Sequence, residues 1–116
     1  MAKRSARERL IDIATAIEKI QRFLTNVSFE GFCADERTHD AVVRNLEIIS
    51  EGSRHVPDEL KAVTPHIPWR NIADFGNWLR HGYDAVNDHI LWDTINRDLP
   101  ALHETVRQLL EAIEKN

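Results

Sequence analysis

Apolar residues recur along this chain at intervals of three and four, with polar residues filling the positions between. Leu10, Ile13, Ala14, Ile17, Ile20 and Leu24 keep that rhythm and predict an amphipathic helix over residues 5–26. The stretch from Ser28 to Phe32 breaks it, and Phe29 and Phe32 are expected to cover one end of the core. Asp35 is placed to cap a second helix, with Thr38 as a competing start. That helix runs to about Arg54 with Ala41, Val42, Asn45, Leu46 and Ile49 on its inner stripe. Asn45 is polar among apolar neighbours, either a satisfied buried amide or a wall of a site. Ser53, Pro57, Pro65 and Pro68 make residues 53–68 loop-like, with room for a short helical turn at 58–63.

Pro68 fits the first turn of a helix carrying Trp69, Ile72, Ala73 and Leu79 and ending near Gly82. Asn87 or Asp88 caps the next helix, with Ile90, Leu91 and Ile95. Asp98 followed by Pro100 then reads as a fresh helix start. The last helix continues to about Lys115 with Leu102, Val106, Leu109, Leu110 and Ile113 on one face. Strand-like alternation is scarce and no repeat is visible. The pattern therefore predicts an all-α bundle of four to five helices, one domain over residues 1–116.

Composition narrows this only slightly. Hydrophobic residues at 42% and charged residues at 29% suit a globular protein. The single cysteine, Cys33, excludes an internal disulfide and a cysteine-rich zinc site, and is expected to be small and partly buried. No apolar run nears the roughly 20 residues of a membrane span and no signal-peptide core is present, so a cytoplasmic location without membrane association is the default. The formal charge of −4 argues against broad nonspecific nucleic-acid binding. Residues 1–9 carry +3, however, leaving −7 for the rest. This basic start reads as a solvated helix end, although a local basic patch on an acidic body can bind RNA. Glu36 and His39 have di-iron E-x-x-H spacing, but a second pair and two further carboxylates are missing, so no metal is expected.

Groups able to do chemistry concentrate between Asp74 and Tyr83. On a helix, Arg70, Asp74, Asn77 and His81 fall within about 60° of one another, with Arg80 at the edge of that face. Arg70 lies about 16 Å from His81 along the axis, too far to serve the same atom within one chain. A histidine near a helix C-terminus gains positive character from the dipole, which moves it from about 6.5 toward neutrality, where general acid–base catalysis works best. An adjacent arginine could hold a phosphate. The plainer alternative is a helix C-cap with a packed aromatic.

In combination these segments resemble the HepT-like family of HEPN-domain proteins. The matching pieces are Phe29–Phe32, residues 40–49 (DAVVRNLEII), residues 67–73 (IPWRNIA), His81-Gly82-Tyr83, and residues 90–95 (ILWDTI) followed by Asp98-Leu99-Pro100. They occur in order over nearly the whole chain. The resemblance implies a homodimeric HEPN bundle and a metal-independent, cofactor-free RNA endonuclease acting on tRNA or mRNA. It also implies the toxin role in a prokaryotic toxin–antitoxin pair, whose minimal nucleotidyltransferase antitoxin can transfer AMP to the motif tyrosine.

The family motif is an arginine, four to six residues, histidine, any residue, tyrosine. His81 takes the histidine position and Tyr83 that of the RNA-binding or AMP-modified tyrosine. Asn77 matches the asparagine that often follows the arginine. The arginine position itself holds Gly76. Losing such a charge-stabilising group typically costs several kcal/mol in the transition state. Arg80 is the replacement candidate, with Arg44 on the neighbouring helix as an auxiliary phosphate contact. Gly76 also removes bulk, leaving room for Trp78 or Arg80 to repack. Three readings follow. One is an endonuclease using His81, Arg80 and Asn77. Another is a catalytically impaired dimer serving as binding partner, regulator or AMP acceptor of a nucleotidyltransferase, in which Gly76→Arg would restore activity. The last is a plain helical homodimer with no site.

Overall fold

The structure, a computed structural model, describes residues 4–81 and 87–115. Its helices are α1 (Ala6–Phe23), α2 (Phe29–Ala34), α3 (Glu36–Arg54), α4 (Asp58–Ala62), α5 (Trp69–His81), α6 (Asp88–Asp93) and α7 (Leu99–Glu114), with a π-helical turn over Thr94–Asp98. No strand occurs among the described residues. The expected all-α bundle is therefore observed.

Local chemistry sets the helix starts. Ser5 accepts the Glu8 N–H at 3.1 Å to open α1, and Ser28 accepts the Gly31 N–H at 3.0 Å to open α2. Asp35, rather than Thr38, caps α3. Its carboxylate takes both the Thr38 N–H at 3.2 Å and the Thr38 hydroxyl at 2.8 Å. Asn26 makes the reversal after α1 at φ 62°, a left-handed conformation that asparagine tolerates better than most side chains. Asn87 caps α6 by accepting the His89 N–H at 2.7 Å.

The expected restart at Asp98 is not observed. Asp98 makes no side-chain capping bond, and α6 runs through the π turn directly into α7. The Leu99 N–H bonds Thr94 O, five residues back. Proline at position 100 would clash with the carbonyl one α-helical turn earlier, and the wider π turn relieves that clash while keeping the chain helical. The short α2 was also beyond the sequence pattern, since six residues are too few to display a helical period. Cys33, expected to be partly buried, is exposed at its end.

Helix α3 lies between α1 and α5, and α7 packs along α1. Leu10, Ile13, Ile17 and Ile20 of α1 join Val42, Leu46 and Ile49 of α3 and Leu102 and Val106 of α7 in one core. Phe32 is fully buried, 5.5 Å from the Trp92 ring, while Phe29 stacks on His89 at 4.2 Å. These two phenylalanines do cover one end of the core. His39 hydrogen-bonds Asp88 at 2.8 Å and stacks on Phe32.

Two glycines let the helices approach α3 closely. A Cβ on Gly52 would come within 2.8 Å of Ile13 Cγ1 of α1. A Cβ on Gly76 would press into Ser50 of α3, 2.9 Å from its Cβ and closer still to its Oγ. Ser50 Oγ occupies that contact because it donates to Ala73 O at 2.6 Å and accepts the Gly76 N–H at 2.9 Å. This buried hydroxyl thus fixes where α5 sits.

Candidate active site at the end of the fifth helix

Helix α5 divides its residues by face. Trp69, Ala73, Gly76 and Leu79 are buried, whereas Arg70, Asp74, Asn77, Arg80 and His81 are exposed. The expected shared face of Arg70, Asp74, Asn77 and His81 is thus a solvent-facing strip. Trp69, Ala73, Gly76 and Arg80 form a second row, each one turn beyond the last, that faces α3. Arg80 belongs to this row but lies past the buried contact.

Long helical side chains lean toward the N-terminus. Arg80 accordingly folds back over the preceding turn. Its Nη1 lies 3.4 Å from the position a Gly76 Cβ would take, and its Nη2 donates to Asn77 Oδ1 at 2.8 Å. The guanidinium therefore sits beside Gly76, held by the asparagine of the same turn. Trp78 does not use that space and instead packs on Phe75, with ring centroids 5.1 Å apart.

His81 is the last residue of α5 and is exposed. Arg80 and His81 both stand at the negative end of the helix dipole. Within one chain Asn77 engages Arg80 and not His81. Tyr83 lies outside the described residues. Asn45 resolves to the satisfied amide: buried, its Nδ2 donates to Ala41 O at 2.9 Å.

Arg44 and Arg80 line one open cleft of about 270 Å³ between α1, α3 and α5. Arg9 of α1 and Arg4, which precedes that helix, line it too, a placement the sequence pattern did not indicate. The only signal was the basic run at the N-terminus, and its target depends on how α1 meets α3. Three carboxylates share the cleft. Asp12 pairs with Arg4 at 2.6 Å, and Glu47 sits 3.9 Å from Arg44. Glu51 accepts from His55 at 2.9 Å, a bond that, with Arg54 and Arg80 nearby, holds its carboxyl below the usual range.

The buried contact changes the meaning of Gly76. An arginine there would start with a Cβ already inside the Ser50 contact. Gly76→Arg would force its Cβ into Ser50 before any guanidinium reached a phosphate, so the substitution is not expected to restore activity.

Comparison with known proteins fits this architecture. The family model described as "Ribonuclease HepT-like" matches residues 13–109. A protein of Thermococcus cleftensis named "Probable ribonuclease HepT" is 44% identical over 100 residues, 86% of this chain and 91% of the relative. A protein of Caldanaerobacter subterraneus subsp. tengcongensis, named as a candidate RNase, is 38% identical over 85 residues, 73% of this chain and 76% of the relative. Another so named, from Methanocaldococcus jannaschii, is 30% identical over 114 residues, covering 98% and 94%. No solved structure gives a significant match. The helices, their order and these relatives converge: the chain belongs to the HepT-like ribonuclease family.

Proposed function

We propose that this protein is a metal-independent RNA endonuclease, the toxin of a toxin–antitoxin pair, acting as a homodimer. Family membership supports ribonuclease chemistry. The observation that carries the reading for this chain is the Arg80 guanidinium lying over Gly76 and held by Asn77. A cation is thereby offered beside the position of the motif arginine, one residue from His81.

His81 takes the proton from a ribose 2′-hydroxyl, whose oxygen attacks the adjacent phosphorus. The bond from phosphorus to the 5′-oxygen breaks, and that oxygen is protonated by the counterpart of His81 in the second copy. Arg80 stabilises charge on the phosphoryl oxygens, and Asn77 keeps the guanidinium folded back toward it. Tyr83 contacts RNA and is the residue that a minimal nucleotidyltransferase antitoxin would modify with AMP. The products are a 2′,3′-cyclic phosphate and a 5′-hydroxyl.

The test is cleavage of total tRNA by purified protein in EDTA, with analysis of the new ends. Cyclic phosphate ends formed by wild type and lost in His81→Ala support the reading. Cleavage that survives His81→Ala, or requires added divalent metal, contradicts it.

A further inference from the structure

The cleft between α1, α3 and α5 holds more positive charge than its carboxylates neutralise. Arg4 is consumed by Asp12 at 2.6 Å and Glu8 at 3.2 Å. Arg44 is only loosely met by Glu47 at 3.9 Å. Among the described residues, neither Arg9 nor Arg80 lies within ion-pair distance of a carboxylate. Glu51, the remaining acid, is engaged by His55 and Arg54 at 2.9 and 3.5 Å. Three under-neutralised arginines, one from each of three helices, thus open onto one cavity.

The packing explains why they meet. Gly52 brings the α1 backbone against α3, so that a Cβ at position 52 would lie 3.5 Å from Arg9 O. Gly76 and Ser50 bring α5 against the other side of α3. Arg9, Arg44 and Arg80 therefore converge although the sequence separates them widely. On a chain of net charge −4, a polyanion is repelled by most of the surface and admitted where such cations cluster.

We propose that this cleft is a phosphate-binding track for single-stranded RNA, in which Arg9 and Arg44 hold backbone phosphates adjoining the one beside Arg80. That the track leads to a scissile phosphate rests on the ribonuclease reading; the binding itself does not. Arg9 is then a substrate-binding residue contributed by the first helix.

The experiment is fluorescence anisotropy with a 2′-O-methyl RNA of about ten nucleotides, within the span that single-strand grooves accommodate. The blocked 2′-oxygen cannot attack, so binding is read without cleavage. Wild type, Arg9→Gln, Arg9→Lys, Arg44→Gln and Arg22→Gln are titrated across a salt series, each first shown to melt like wild type. Arg22 lies about 20 Å along α1 from Arg9 and serves as the control. Arg9→Gln and Arg44→Gln are each expected to weaken binding about tenfold. Each should also reduce the slope of log K against log salt by about 0.7, the value for one lost contact to a single strand. Arg9→Lys should keep the slope, and Arg22→Gln should match wild type.

Binding by Arg9→Gln and Arg44→Gln with wild-type affinity and slope overturns the proposal, as does failure of wild type to bind. Wild type that binds through Arg9 yet cuts no unmodified RNA upholds the track and removes the ribonuclease reading. Cleavage combined with binding indifferent to Arg9 and Arg44 does the reverse.

Discussion

Gly52 and Gly76 perform the same packing task on opposite sides of α3, with different consequences. At Gly52 the obstacle to a larger residue is the aliphatic side chain of Ile13. At Gly76 it is Ser50, whose hydroxyl is committed to both Ala73 O and the Gly76 N–H. Ile13, branched and fully buried, must shift as a whole but gives up no hydrogen bond, whereas Ser50 can move only by giving up two. The Gly76 side is also where Arg80 folds back beside Asn77. On α3's first flank the small residue seats the α1 backbone against α3, and among the described residues no cation lies over it. On the second flank it serves packing and also leaves space for a cation. Under the proposed ribonuclease reading, the missing motif arginine is relocated by one helical turn to Arg80 rather than simply lost.

Gly76→Arg should give the largest effect of any substitution at these contacts. It forces a long side chain into the Ser50 contact and is expected to destabilise by more than about 4 kcal/mol, read as failure to recover folded protein or collapse of the denaturant midpoint. A folded and more active variant would show that position 76 still accepts its family residue. Next, Arg80→Ala should lower RNA cleavage about 10²- to 10³-fold while leaving the melting temperature unchanged, because its side chain is exposed.

Substituting alanine separates the two flanks on stability alone. Gly76→Ala is expected to lose about 1–2 kcal/mol, as overpacking and the disturbed Ser50 bonds outweigh the gain in helix propensity. Gly52→Ala is expected to lose less, about 1 kcal/mol, since the forced shift of Ile13 breaks no hydrogen bond and the propensity gain offsets part of its cost. Equal losses in urea titrations would remove the distinction between the flanks.

The smallest effect belongs to the α3 cap, which lies outside both contacts. The Thr38 hydroxyl and N–H hold the Asp35 carboxyl below its usual range. Its stabilisation is present above the unfolded-state value and is lost as pH falls through the lower folded value. Asp35→Asn should therefore flatten the acid limb of a melting-temperature profile measured from neutral pH to about pH 3, and an unchanged limb would count against the cap.

The long helices were legible because α1, α3, α5 and α7 each bury a stripe with a helical period. The link from α6 to α7 was not, because Asp98 and Pro100 carry the residue types of a helix start while the chain uses a π turn to remain continuous. In the site, the strip of Asn77 and His81 followed from angular spacing within one helix. The cleft did not follow, because Arg9 and Arg80 meet only through the depth at which α1 and α5 pack on α3. Ser50 gave no warning either. A serine on an otherwise apolar inner face reveals its role only when the carbonyl and N–H it bridges are seen.

The most direct test of the proposed role of Arg80 is the specificity constant for RNA cleavage in EDTA, measured for wild type, Arg80→Ala and Arg80→Lys with melting curves recorded alongside. The expected result is a loss of about 10²- to 10³-fold in Arg80→Ala, partial activity in Arg80→Lys, and superimposable melting curves. Cleavage by Arg80→Ala at the wild-type rate would contradict it, and would mean that the guanidinium beside Gly76 plays no part in the reaction.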